Sequence, residues 1–119
     1  MNSRFYTCPK CGMVLGLING DAGCIKCCGK EIEPMVIHEE FNEKHTPNYV
    51  VEGNEIVVSL NHGMSDEHHI AWIALMNENQ TIRVALNHTQ TPTVRFPYIK
   101  NSTIYAYCNL HGLWLNRVK

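Results

Sequence analysis

The chain has 119 residues with a formal net charge of −1, and 45% of its residues are hydrophobic, 18% charged and 8% aromatic. This length holds one ordinary domain, or a small unit joined to a modest one, and excludes a multidomain enzyme; the composition is that of a folded protein with a real core. With a pI of about 6.6, the chain lacks the basic field that holds phosphate backbones, so no nucleic-acid partner is expected.

What stands out is six cysteines and seven histidines in so short a chain, a surplus of metal-ligating side chains that packing does not require. Met1-Asn2-Ser3-Arg4-Phe5-Tyr6 has no apolar core of signal-peptide length. No run approaches the roughly 18 apolar residues that a membrane span needs. A cytoplasmic protein with no membrane partner is expected, and in a reducing compartment closely spaced cysteines are metal ligands or redox groups more often than disulfides.

Cys8, Cys11, Cys24, Cys27 and Cys28 fall in the first 36 residues together with Gly12, Gly16, Gly20, Gly23 and Gly29. So small and loop-rich a segment cannot build a sufficient core and normally needs a bound metal or disulfides to stay folded. Cys8-Pro9-Lys10-Cys11-Gly12 is a thiolate knuckle: two intervening residues let both sulfurs face one ion, and glycine permits the tight backbone behind them. The other half of a four-sulfur site is open between the vicinal pair Cys27-Cys28 and a second knuckle, Cys24-Ile25-Lys26-Cys27. Tetrahedral sulfur suits zinc and iron alike.

Residues 36–44 are charged and weakly periodic and suit a connector, which places the domain boundary at 36 and gives predicted domains 1–36 and 37–119. Beyond it, short runs rich in β-branched and aromatic residues predict strands over 56–60, 69–76, 81–86, 93–96, 104–107 and 113–115. Turn residues such as Glu52-Gly53-Asn54, Asn77-Glu78-Asn79 and Lys100-Asn101-Ser102 separate them. The fold class is all-β, a metal knot followed by an antiparallel sandwich or barrel.

A second ligand set lies in this larger part: His45, then His62 and His68 around Gly63-Met64-Ser65-Asp66-Glu67, then Cys108-Asn109-Leu110-His111-Gly112. Extended, residues 62–68 would span about 20 Å, so a turn must fold the two histidines together if they share an ion. No single histidine here argues for ligation; the combination does. His69 is expected to point away from His68 by strand parity, His38 and His88 to lie on the surface, and Trp72, Trp114 and the methionines to be core.

These residues resemble the superoxide reductases, also called desulfoferrodoxins and neelaredoxins. The match rests on Glu43-Lys44-His45-Thr46-Pro47, His62-Gly63-Met64 with His68 and Ile70-Ala71-Trp72-Ile73 after it, and Cys108-Asn109-Leu110-His111-Gly112-Leu113-Trp114. The front segment, with fifteen residues between Cys11 and Cys27, resembles the desulforedoxin domain of the two-iron members. Gly63 stands where the family usually has proline, and the linker and second domain are shorter than usual.

The resemblance implies an immunoglobulin-like β-sandwich carrying a catalytic iron, with His45, His62, His68 and His111 equatorial, Cys108 axial and the sixth position open for substrate. It implies a second iron, or zinc, on Cys8, Cys11, Cys27 and Cys28, leaving Cys24 spare. The implied activity is one-electron reduction of superoxide to hydrogen peroxide, with a rubredoxin-like electron donor and a homodimeric assembly. Lys44 would attract the anionic substrate, and Glu43 would occupy the sixth site in the resting state or move protons. The same residues also allow a non-catalytic zinc- or iron-binding β-sandwich module, or a protein that only transfers electrons.

Overall fold

A computed structural model describes residues 4–119. The chain divides into two compact units, Met1–Ile37 and His38–Lys119, and every regular element among the described residues is a strand.

In the first unit, β1 (Phe5–Thr7) lies between β2 (Val14–Gly16) and β5 (Glu33–Pro34), antiparallel to both. A two-stranded ribbon joins β3 (Lys26–Cys27) to β4 (Lys30–Glu31) through Cys28-Gly29. Both turn residues have positive φ, 54° at Cys28 and 76° at Gly29. That conformation costs glycine little but is unusual for cysteine. Of the apolar side chains among the described residues here, only Phe5 and Cys8 are buried. So thin a core is what the short, glycine-rich sequence leads one to expect.

The second unit is an antiparallel β-sandwich. One sheet has the order β10-β9-β12-β13-β6 and the other β11-β8-β7. The elements are β6 (Ile37–His38), at the boundary of the units, β7 (Asn48–Glu52), β8 (Glu55–Ser59), β9 (Ile70–Met76), β10 (Thr81–Ala85), β11 (Thr93–Pro97), β12 (Thr103–Cys108) and β13 (Gly112–Arg117).

Alternation sets the faces. Ile56 and Val58 of β8 and Phe96 of β11 point inward from one sheet, and Ile73 and Leu75 of β9 with Ile104, Ala106 and Cys108 of β12 meet them from the other. β9 is central and almost wholly buried, which explains its nearly continuous apolar sequence. Ile73 is fully buried, so Ile73→Ala is expected to destabilise the sandwich by about 2–5 kcal/mol through lost burial and a residual cavity. A denaturant midpoint unchanged by this substitution would contradict the core assignment.

The six predicted strands correspond to β8 to β13 with ends shifted by one or two residues. β7 was not predicted. Its Val50 and Val51 are both exposed, so the sequence carries no inward–outward alternation there, and its place comes from the hairpin register with β8 across Gly53.

Candidate metal centres

Three loops at one end of the sandwich bring the second ligand set together. The first is a turn organised by Asn42, whose Oδ1 accepts the backbone N–H groups of Lys44 and His45 at 3.0 and 3.1 Å and lies 3.0 Å from His45 Nδ1. Asn42 N–H donates to Thr46 Oγ1 in return. Asparagine is suited to this role because its short side chain mimics a backbone turn. With Nδ1 engaged, Nε2 is left as the ligating lone pair of His45.

The second loop, 61–69, folds back as the spacing of its histidines requires. Ser65 closes it: its N–H and hydroxyl both donate to the His68 carbonyl, and its Oγ accepts the His68 N–H. His62 Nδ1 bonds the Gly63 carbonyl, again leaving Nε2 free.

The third loop is the β12–β13 hairpin. Three residues, Asn109 to His111, separate Cys108 from Gly112, and Gly112 adopts φ +87°, the left-handed position that closes a three-residue hairpin loop. Asn109 ties this hairpin to the second loop, accepting the His69 N–H at 2.9 Å and donating to the Glu67 carbonyl at 3.0 Å.

The resulting geometry is square rather than tetrahedral. Ring centroids of His45–His62, His62–His68, His68–His111 and His45–His111 are 5.0, 4.6, 4.8 and 4.9 Å apart, all edge-on, whereas the diagonal His45–His68 is 6.4 Å. His111 Nδ1 lies 3.2 Å from His45 Nε2 and 3.1 Å from His68 Nε2. Nitrogens at right angles about an ion, each about 2.1 Å away, would be about 3.0 Å apart.

Cys108 Sγ caps one face, 3.2, 3.5 and 3.6 Å from the ligating nitrogens of His68, His62 and His111. His45, His68, Cys108 and His111 form a set whose donor atoms all lie within 4.8 Å of one another, and His62 stands just outside it. Cys108 is fully buried and His111 exposed, so the sulfur lies on the core side of a cluster whose His111 corner reaches solvent.

Burial lowers the His45 pKa to about 4, with the neighbouring His62, His111 and His68 adding to the effect. Burial also lowers His62, and the Lys44 ammonium contributes. Both rings are therefore neutral near pH 7, the state a metal requires.

The remaining residues singled out from sequence are placed as follows. Lys44 and Glu43 are exposed on the Asn42 turn. His69 bonds the Ser65 carbonyl through Nδ1 and lies outside the cluster; it precedes β9, so loop geometry rather than strand parity turns it away. His88 faces Asp66 at 3.8 Å. His38 is not the free surface residue expected: it is half-buried and stacks on Trp114, which stacks in turn on His45. Asn42, Ser65 and Asn109 were not foreseen, and an asparagine or serine beside a histidine-bearing turn was their only signal.

In the first unit, Cys8, Cys11, Cys27 and Cys28 form one cluster, and Cys24 is not in it. Sγ separations are 3.6 Å for Cys11–Cys27 and 3.8 Å for Cys27–Cys28, close to the roughly 3.8 Å of a tetrahedron with ion–sulfur bonds of about 2.3 Å. The left-handed backbone at Cys28 accompanies the turning of two adjacent sulfurs to one point. The Cys8 thiol is lowered to about 6, chiefly by the Cys11 backbone N–H aimed at its sulfur. Cys27, crowded by the sulfurs of Cys11, Cys8 and Cys28, is pushed up to about 12. Gathered thiols resist collecting several negative charges until a cation neutralises them.

Fold and donor atoms together define a class: a β-sandwich protein with a mononuclear site of four imidazoles and a thiolate, joined to a four-cysteine knot. Residues 34–117 match the family model described as Desulfoferrodoxin. The chain belongs to the desulfoferrodoxin family.

Among its relatives are the desulfoferrodoxin of Syntrophotalea carbinolica, 36% identical over 118 residues and covering 92% of this chain and 91% of that one. The desulfoferrodoxin homolog of Archaeoglobus fulgidus is 32% identical over 117 residues, covering 93% and 94%. The superoxide reductase structure from Treponema pallidum superposes with a TM-score of 0.75 over 94% of this chain and 95% of its own, at 24% identity, a likeness of fold.

Five donors, four in a square and one apical, exceed the four that zinc usually takes and suit an iron site with an open position. The four-sulfur cluster fits iron or zinc.

Proposed function

We propose that the protein is a superoxide reductase, converting superoxide, one electron and two protons into hydrogen peroxide. The observation that carries this reading is the square of imidazoles beside a buried thiolate, with an exposed corner at His111. Iron bound there would supply the electron, and the Cys108 thiolate would add electron density to it.

In this reading His45, His62, His68, His111 and Cys108 would hold the metal. Asn42 and the Gly63 carbonyl fix which ring nitrogen of His45 and His62 is presented. Burial of Cys108 keeps water from competing for its sulfur. Solvent access at the exposed His111 corner would let protons reach the reduced oxygen species, and the exposed Glu43, two residues before His45, would carry them.

Lys44 is the steering cation. It is exposed and adjoins His45 in sequence, so its ammonium would draw an anion towards the site. Lys44→Ala is expected to slow the second-order reaction with superoxide by about tenfold and to flatten its dependence on ionic strength, with Lys44→Arg restoring both. Unchanged rate and salt slope would remove Lys44 from the mechanism.

A small one-electron carrier of the rubredoxin kind would return the electron, in the cytoplasm, to a homodimer whose four-cysteine units would hold a second iron or zinc. The experiment that tests the activity is a superoxide pulse delivered to pre-reduced protein. A thiolate-to-iron absorption band should grow as superoxide disappears, and loss of superoxide at the buffer rate with no band would overturn the reading.

A further inference from the structure

Trp114 is nine-tenths buried and stacks on two imidazoles. Its ring is 4.9 Å from that of His45 at an interplanar angle of 21°, and 4.3 Å from that of His38 at 25°. Its indole N–H donates to the His111 carbonyl at 3.1 Å. On β13 it pairs with Ala106, which places it on the same face of the sheet as Cys108. His38 is fixed from outside by Glu40, whose Oε1 is 3.3 Å from His38 Nδ1.

His45 has two in-plane anchors, Asn42 at Nδ1 and the centre of the square at Nε2. Two anchors define an axis, and the rotation of the ring about that axis is set by what lies against its faces. The indole occupies one face. His111 adjoins His45 in the square and is exposed, so little packs around its imidazole, but its backbone is tied to the same indole. One residue therefore restrains two neighbouring corners of the site.

We infer that Trp114 is a positioning residue for His45 and His111, and that His38 is the outer plate that holds the indole in place. The inference rests on the metal-site reading above but not on the reaction with superoxide. Residues that orient ligands from behind typically change metal affinity by about 10–100-fold when replaced. Trp114→Leu, which removes both the stacked ring and the N–H donor, is expected to lower iron affinity by about this much. Trp114→Phe keeps a flat ring against His45 and loses only the N–H donor, so its effect should be smaller. His38→Ala removes the outer plate alone, and His38→Phe should restore the parent behaviour because it returns a ring to the stack.

The test uses the full-length iron protein and two readouts that do not depend on turnover: competition for the catalytic iron with a chelator, and the position and width of the thiolate-to-ferric absorption band. The inference predicts faster iron loss and a shifted band in Trp114→Leu and His38→Ala, with recovery in His38→Phe. Because Trp114→Leu empties a large buried volume, the His38 pair and Trp114→Phe keep the test independent of folding. Parent-like iron affinity and band in both His38→Ala and Trp114→Phe would overturn it. If these predictions hold in a protein that does not reduce superoxide, the positioning role stands and the proposed activity falls.

Discussion

Cys108→Ser leaves the sandwich folded but abolishes the thiolate-to-iron band and lowers the rate of superoxide reduction by more than about 100-fold, the upper end of what an outer-shell replacement costs. Cys108 is a core residue as well as the proposed sulfur ligand: it is fully buried, ends β12 and packs in the cluster with Ile70, Ile73 and Ala106. Serine is smaller and nearly isosteric, so the strand should persist. What is lost is the soft anionic donor beneath the square, 3.2 Å from the ligating nitrogen of His68, and a neutral hydroxyl does not replace it. Visible absorption and superoxide consumption of the iron-loaded variant check this. A variant that keeps the band would show that the sulfur is not bound to the iron.

Removing metal from the four-cysteine cluster is expected to unfold residues 4–37 and spare the sandwich. With only Phe5 and Cys8 buried among the apolar side chains of its described residues, the first unit has little hydrophobic stabilisation to set against ordering its backbone. Structural zinc in comparably small sites contributes about 10–16 kcal/mol. Crowded thiols also oppose one another without a cation, as the raised Cys27 shows. Amide exchange in the variant Cys11→Ser, compared with the parent, reads the outcome: protection should vanish in β1, β2 and β5 and persist in β9 and β12. Retained protection in β1 would mean that the short strands suffice. Cys24→Ser should behave as the parent, since Cys24 lies outside the cluster.

Much of this was legible in the sequence because ligand chemistry is carried by residue type and spacing. Cys8 and Cys11, two residues apart, announce a shared ion, and alternation around Ile56 and Val58 announces a half-buried strand. The choice between Cys24 and Cys28 was not legible from spacing, because it depends on Cys28 adopting a left-handed backbone. β7 was hidden because both its valines face solvent. The supports of the site, Asn42, Ser65, Asn109 and the His38–Trp114 stack, act through side-chain contacts with backbone or rings distant in sequence. Such contacts leave no periodic trace, and Trp114 looked like any other core aromatic.

The central claim is that this chain reduces superoxide without oxidising a second molecule of it. The most direct measurement is stoichiometry: pre-reduced, iron-loaded protein is given a known amount of superoxide under anaerobic conditions, and peroxide and dioxygen are both quantified. A reductase consumes one superoxide and one electron from the protein for each peroxide formed and releases no dioxygen. Dioxygen appearing in step with half as much peroxide as superoxide consumed, or superoxide decaying as it does in buffer alone, would contradict the account.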